Sequence, residues 1–233
     1  MVFAHTRGRN NLASEAKAPG HEAVYSKLRD MILFGDLAPR QPVTLNGLTN
    51  EIGTSIMPVR EGVRRLMAQG ALESTGTRRV VVPAMTLHKL EQIRYMRNQI
   101  EPKLATLAAR YANQTLLDEL HKIDDKVNEA LANGNVQKYL EFNYRFHFKL
   151  YQASGNEVLY DIAQLLWLKI GPSLRIVFGK VGTENLPDMH DEAMKSILDG
   201  DEIAAGNAIA QDIAQGMDHI EKALEFENLN QIA

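Results

Sequence analysis

The chain contains no cysteine. That absence removes disulfides, thiolate zinc sites and cysteine nucleophiles together, leaving His, Asp, Glu, Asn and water as metal ligands. It also lacks an apolar run approaching about 18 residues, and it has no charged start followed by an apolar stretch and a small-residue cleavage site. Nothing in it therefore addresses a membrane or a secretion route, and the expected location is cytoplasmic. What remains is ordinary for a soluble globular protein. At 233 residues, 45% apolar and 24% charged, the chain can bury a real core in one large domain or two smaller ones.

The formal charge of -3 conceals an asymmetry. Residues 1–85 carry 11 Lys/Arg against 7 Asp/Glu, whereas residues 86–233 carry 15 against 22. A basic front joined to an acidic remainder suggests a polyanion-binding head on a body that does not itself touch nucleic acid.

Residues 1–20 have no hydrophobic period and contain Pro19 and Gly20, so they are expected to form a mobile arm. From His21 the apolar positions Val24, Leu28, Met31 and Ile32 recur at helical spacing until Gly35. Pro39 and Pro42 predict an extended connection. Thr44 can then cap a short helix ending near Gly53, and Ser55 can cap a third. In that third helix Val59, Val63 and Leu66 share one face, while Arg60 and Arg64 project together from another. Leu72 to Ser74, the turn Thr75-Gly76-Thr77, Arg78, Arg79 and the run Val80-Val81-Val82 read as a basic hairpin. Three helices and this hairpin make a winged helix-turn-helix over residues 21–84.

Beyond Pro83 the segments 86–112, 116–132, 136–153, 157–178, 188–198 and 202–224 all show helical periodicity. Pro102 is expected to bend the first of these, and Gly171-Pro172 to interrupt the fourth. The fold class is thus mainly α: an N-terminal winged helix-turn-helix followed by an all-α bundle over residues 85–228, large enough to enclose a ligand pocket.

A helix fits the major groove of DNA, and long cations on its outer face can reach base edges or phosphates. Arg60 and Arg64 meet that need. Ser55 at the helix start can meet a phosphate, and Arg78 and Arg79 at the hairpin tip can reach an adjacent minor groove. Taken alone, each arginine pair reads equally well as a solvated charged face.

The stretch Leu28-Arg29-Asp30-Met31-Ile32, then Gly35-Asp36-Leu37-Ala38-Pro39, Pro58-Val59-Arg60-Glu61 and Arg64-Arg65-Leu66 resembles the head of the GntR-type transcriptional regulators. Ile56 stands where many members carry Arg, and Arg40 where Gly usually follows the proline. The resemblance adds Asn46 on the second helix as a DNA-contacting position.

The larger part resembles the FadR-like helical ligand-binding domain of that family, the FCD type, with Arg97 and Glu101 matching its first-helix pattern. Many members hold a divalent metal through an Asp-x-x-x-His pair and two later histidines. Carried over, those positions are Asn143, His147, His190 and Asp212, so one carboxylate is lost at 143 and another appears at 212. Asn143 and His147 lie one turn apart on the same helix face, and the set suits Zn, Ni or Mn with room for a ligand. His219, about 10 Å further along its helix, is a poor substitute for Asp212.

Two readings stay open here: a metal site, or buried, hydrogen-bonded core histidines. Arg97 either binds a ligand carboxylate or pairs internally with Glu101. Trp167, Tyr95 and the methionines suit a core or an interface better than a stacking box.

Two chains are expected to associate as a homodimer that places two recognition helices on a short palindromic double-stranded operator, with repression relieved by ligand; the resemblance implies a small carboxylic acid as that ligand. The competing function is a metal-dependent phosphohydrolase of the helical HD type, because His147, His190-Asp191 and Asp212 mimic its ligand order. That reading leaves the basic head without a purpose.

Overall fold

The computed structural model describes residues 20–76, 79–181 and 188–232. The expected arm, apart from Gly20, and Arg78 lie outside them. Among the described residues no helix is long and apolar enough to cross a membrane.

The head comprises α1 (His21–Leu33), β1 (Val43–Thr44), α2 (Leu45–Ile52), α3 (Ile56–Ala68), β2 (Glu73–Ser74) and β3 (Arg79–Val81). Val24, Leu28, Met31 and Ile32 are all buried, as their spacing requires, against Val59, Val63 and Leu66 of α3. Thr44 caps α2 by accepting from the Gly47 N–H at 3.0 Å, and Gly53 ends that helix in the left-handed region. Ser55 occupies the N-cap position of α3, but its hydroxyl makes no capping bond.

The wing has a third strand that the sequence does not announce. Val43 pairs with Val80 and Thr44 with Arg79, so β1 lies beside β3 and the antiparallel order is β1-β3-β2. Arg79 accordingly opens β3 rather than standing at a hairpin tip.

Before β1 the chain turns tightly, with the Gln41 N–H donating to the Ala38 carbonyl at 3.2 Å and Arg40 at φ 64. Pro39 and Arg40 fill the two central positions of a turn that favours glycine at the second. A side chain there costs about 1 kcal/mol.

The bundle comprises α4 (Leu87–Tyr111), α5 (Gln114–Ala132), α6 (Val136–Gln152), α7 (Glu157–Val181), α8 (Met189–Leu198) and α9 (Glu202–Ile232). Helix α4 runs along α9, α5 along α6, and α8 along α9. Both internal prolines are accommodated: α4 continues through Pro102, and α7 is not broken at Gly171-Pro172. Here packing overrides the local preference, because Gly171 serves a different purpose.

That purpose is a close crossing between head and bundle. A Cβ at Gly171 would sit 2.6 Å from the Leu33 carbonyl oxygen, so only glycine lets α7 meet the end of α1. Nearby, Gly35 at φ 83 is overlaid by the Arg175 side chain, and the Phe34 ring meets Tyr144 edge-on. Lys169 donates to the Gln69 carbonyl at 2.8 Å, and Gln137 to Asp36 at 2.8 Å. The head therefore rests directly on α6 and α7.

Candidate metal centre and DNA-facing helix

Three side chains from three helices converge in the bundle: His147 from α6, His190 from the first turn of α8, and Asp212 from α9. Their ligand atoms all lie within 4.8 Å of one another. Both histidines are buried, while Asp212 is a quarter exposed.

The surrounding hydrogen bonds assign the protons. Glu101 takes two bonds from Arg97, the second at 3.0 Å, and others from Trp167 at 2.9 Å and Tyr151 at 2.8 Å. An ionised carboxylate only accepts, so the Tyr151 hydroxyl donates to Glu101 and its oxygen accepts from Nδ1–H of His147 at 3.0 Å. In the same way Nδ1–H of His190 donates to Asp124 at 2.7 Å. Each ring is thereby held with Nε2 facing the shared space, in the manner of a metal-ligating histidine whose other nitrogen is tied to an outer partner.

Those two Nε2 atoms are buried with no hydrogen-bond partner among the described residues. The His147 Nε2 does lie 3.1 Å from Asp212 Oδ2, but the pair is not aligned as a hydrogen bond. Buried polar atoms left without partners cost about 1–3 kcal/mol each, which a shared cation would relieve. The donor set of two imidazoles and a carboxylate fits Zn, Ni or Mn.

Electrostatics favour that fit at His147 but not at His190, whose charged ring a bound cation would have to deprotonate. Burial pushes His147 down, despite the pull of Asp212, and so favours the neutral ring. For His190 burial again works against charge, but the Asp124 bond and the charge of Asp212 prevail and raise it. Burial also opposes ionisation of Asp212, yet contact with His147 and the charges of His190 and Arg97 hold its carboxyl down to about 2.

Asn143, one turn before His147, lines two adjoining cavities of about 160 and 40 Å³ together with Asp212. Asp124 and Asp188 border the larger and Arg97 the smaller. Arg97 realises the internal pairing with Glu101, and its guanidinium lies over the Trp167 ring at 4.6 Å. Trp167 is buried, as expected of a core residue, whereas Tyr95 is exposed. Sequence reasoning passed over Asp124 and Tyr151, the two groups that orient the histidines. A polar residue on an apolar face, as Asp124 is on α5, was the available signal.

In the head, Asn46, Ser55, Arg60, Arg64 and Arg79 are all exposed. Arg60 has no hydrogen bond or ion pair among the described residues. Arg64 differs, because it makes a two-pronged contact with Glu61 at 2.8 and 3.1 Å. Arg65, on the neighbouring face, lies over Tyr25 and pairs with Glu22.

Comparison with known proteins places both halves. Residues 21–82 match the family model of bacterial regulatory proteins, gntR family, and residues 92–215 match the FCD domain. The chain is 26% identical over 163 residues to the HTH-type transcriptional regulator McbR of Escherichia coli strain K12, covering 70% of this chain and 74% of that one. It is 25% identical over 198 residues to the "Probable D-xylose utilization operon transcriptional repressor" of Paenarthrobacter nicotinovorans, covering 82% and 86%. The solved structure of E. coli McbR/YncC superposes with a TM-score of 0.82 at 22% identity, over 87% of this chain and 97% of that one. These are families of regulators rather than enzymes, and none of these matches supports the phosphohydrolase reading. The chain belongs to the gntR family of bacterial transcriptional regulators, with a DNA-binding winged head and an FCD effector domain.

Proposed function

We propose that this regulator is a homodimeric repressor that leaves a palindromic operator when a small carboxylic acid enters the FCD cavity beside a divalent metal. Residues 21–84 form the head and 85–228 the sensing part. Asn46, Ser55, Arg60, Arg64, Arg78 and Arg79 make up the DNA-contacting set. His147, His190 and Asp212 hold the ion, with Asn143 as a fourth donor.

The observation that carries the sensing role is the pair of buried Nε2 atoms aimed at one space and left without hydrogen-bond partners among the described residues. Satisfied core histidines would not leave both of them so. When bound, the ion supplies a positive charge with open positions to which a ligand carboxylate can attach. Such a charge is needed, because Arg97 is matched by Glu101 while Asp124, Asp188 and Asp212 surround the larger cavity. The cavity volumes of about 160 and 40 Å³ suit a molecule of a few carbons. The contacts of α1 with α6 and α7 offer the route by which such binding reaches the head.

The test is elemental analysis of the full-length protein purified without chelators, beside a His147→Ala, His190→Ala double variant. Stoichiometric metal in the native chain and none in the variant is expected. Equal content in both would end the metal reading.

A further inference from the structure

Met57 is 60% exposed, the most exposed large apolar side chain among the described residues of the head. It sits in the first turn of α3, where Pro58, Val59, Gly62, Val63 and Leu66 form the buried face. Met57 therefore points away from the core, and Arg60 and Arg64 continue its face at helical spacing. Ile56 beside it is half-buried. The outward stripe thus begins with an apolar tip and continues into cations.

A partner that suits this stripe must be anionic around an apolar spot. Duplex DNA offers that combination in the major groove, with phosphates along the rim and the 5-methyl group of thymine projecting from the floor. Neither Ile56 nor Met57 has a side-chain donor with which to read guanine. The cations flanking Met57 argue against an apolar protein surface as its partner.

We infer that Met57 is a specificity-determining residue that packs on a thymine methyl, so that each operator half-site requires an A·T pair where the tip of α3 enters. The inference rests on α3 being the helix seated in the groove. Arg60 supplies the hydrogen-bonding or phosphate contact one turn further on. Met57 supplies the discrimination between thymine and other bases.

The experiment uses the full-length chain and a duplex that it recovers from a random 20-base-pair pool. Each thymine is replaced in turn by deoxyuridine, which removes only the methyl group and leaves pairing intact. One or two positions should weaken binding about fourfold, the worth of one buried methyl-sized group. Met57→Ala changes both protomers of the proposed homodimer, so it should lose that factor once per half-site, about 16-fold on the thymine duplex, and bind the thymine and uridine duplexes equally. Arg60→Ala should weaken both duplexes by the same ratio. Indifference to uridine at every position, or a uridine penalty that persists in Met57→Ala, overturns the inference. If Arg60→Ala binds as tightly as the native chain, the seating of α3 itself fails and the inference falls with it.

Discussion

Phe34, which closes α1 of the head, meets Tyr144 of α6 with ring centroids 5.9 Å apart and planes at 75°. Tyr144 in turn lies edge-on to Trp167 at 5.6 Å, and Trp167 donates to the Glu101 that anchors Arg97 and Tyr151. Aromatic contact and hydrogen bonds therefore run without a gap from the end of α1 to the wall of the cavity. Phe34→Ala should lower stability by about 2 kcal/mol. It should also split urea unfolding into separate head and bundle transitions. A single, undisplaced transition would show that the ring pair does not join the two parts.

Asp124 holds Nδ1 of His190, and Asn128 donates to its other oxygen at 3.0 Å. Asp124→Asn should lower metal affinity about 10- to 100-fold by releasing the ring from its orientation. Competition with a chromophoric chelator measures this directly. DNA affinity in the absence of metal should not change.

Arg60 and Arg64 share a face but not a state. Arg60→Ala should cost about 1–3 kcal/mol of affinity for a selected duplex if it reads a base. Arg64 must first give up Glu61, so Glu61→Gln should strengthen DNA binding, most visibly at low salt where the like charge repels phosphate hardest. Titration of fluorescent duplex at several salt concentrations separates the two. No gain from Glu61→Gln would mean that Arg64 stays outside the groove.

Arg40 occupies a backbone conformation that suits glycine. Arg40→Gly should raise stability toward urea by about 1 kcal/mol, less whatever the greater freedom of glycine in the unfolded chain takes back. Clear destabilisation would show that the arginine side chain makes a contribution larger than the strain.

Much of this architecture could be read beforehand because burial imposes a period. Val24, Leu28, Met31 and Ile32 in α1, or Val59, Val63 and Leu66 in α3, advertise their helices through spacing alone. Strand β1 could not be read that way, since two residues carry no period and its pairing with β3 spans the whole of α2 and α3. Gly171-Pro172 misled for a related reason: the dipeptide signals a break locally, whereas the constraint it answers is the Leu33 backbone, far away in sequence. The centre divides likewise. Asn143 and His147 are linked by one helical turn, but Asp124 and His190 are 66 residues apart, and only folding pairs them.

The crossing of Leu33 and Gly171 bears on how such regulators can be recombined. Because no side chain fits between the two backbones, a head grafted from another regulator onto this bundle would bring its own α1 ending to a groove shaped for Leu33, Phe34 and Gly35. A working chimera would have to transplant the matching stretch of α7, from Gly171 to Arg175, along with the head. The unit of exchange is then not the DNA-binding fold alone but that fold together with the patch of helix on which it rests.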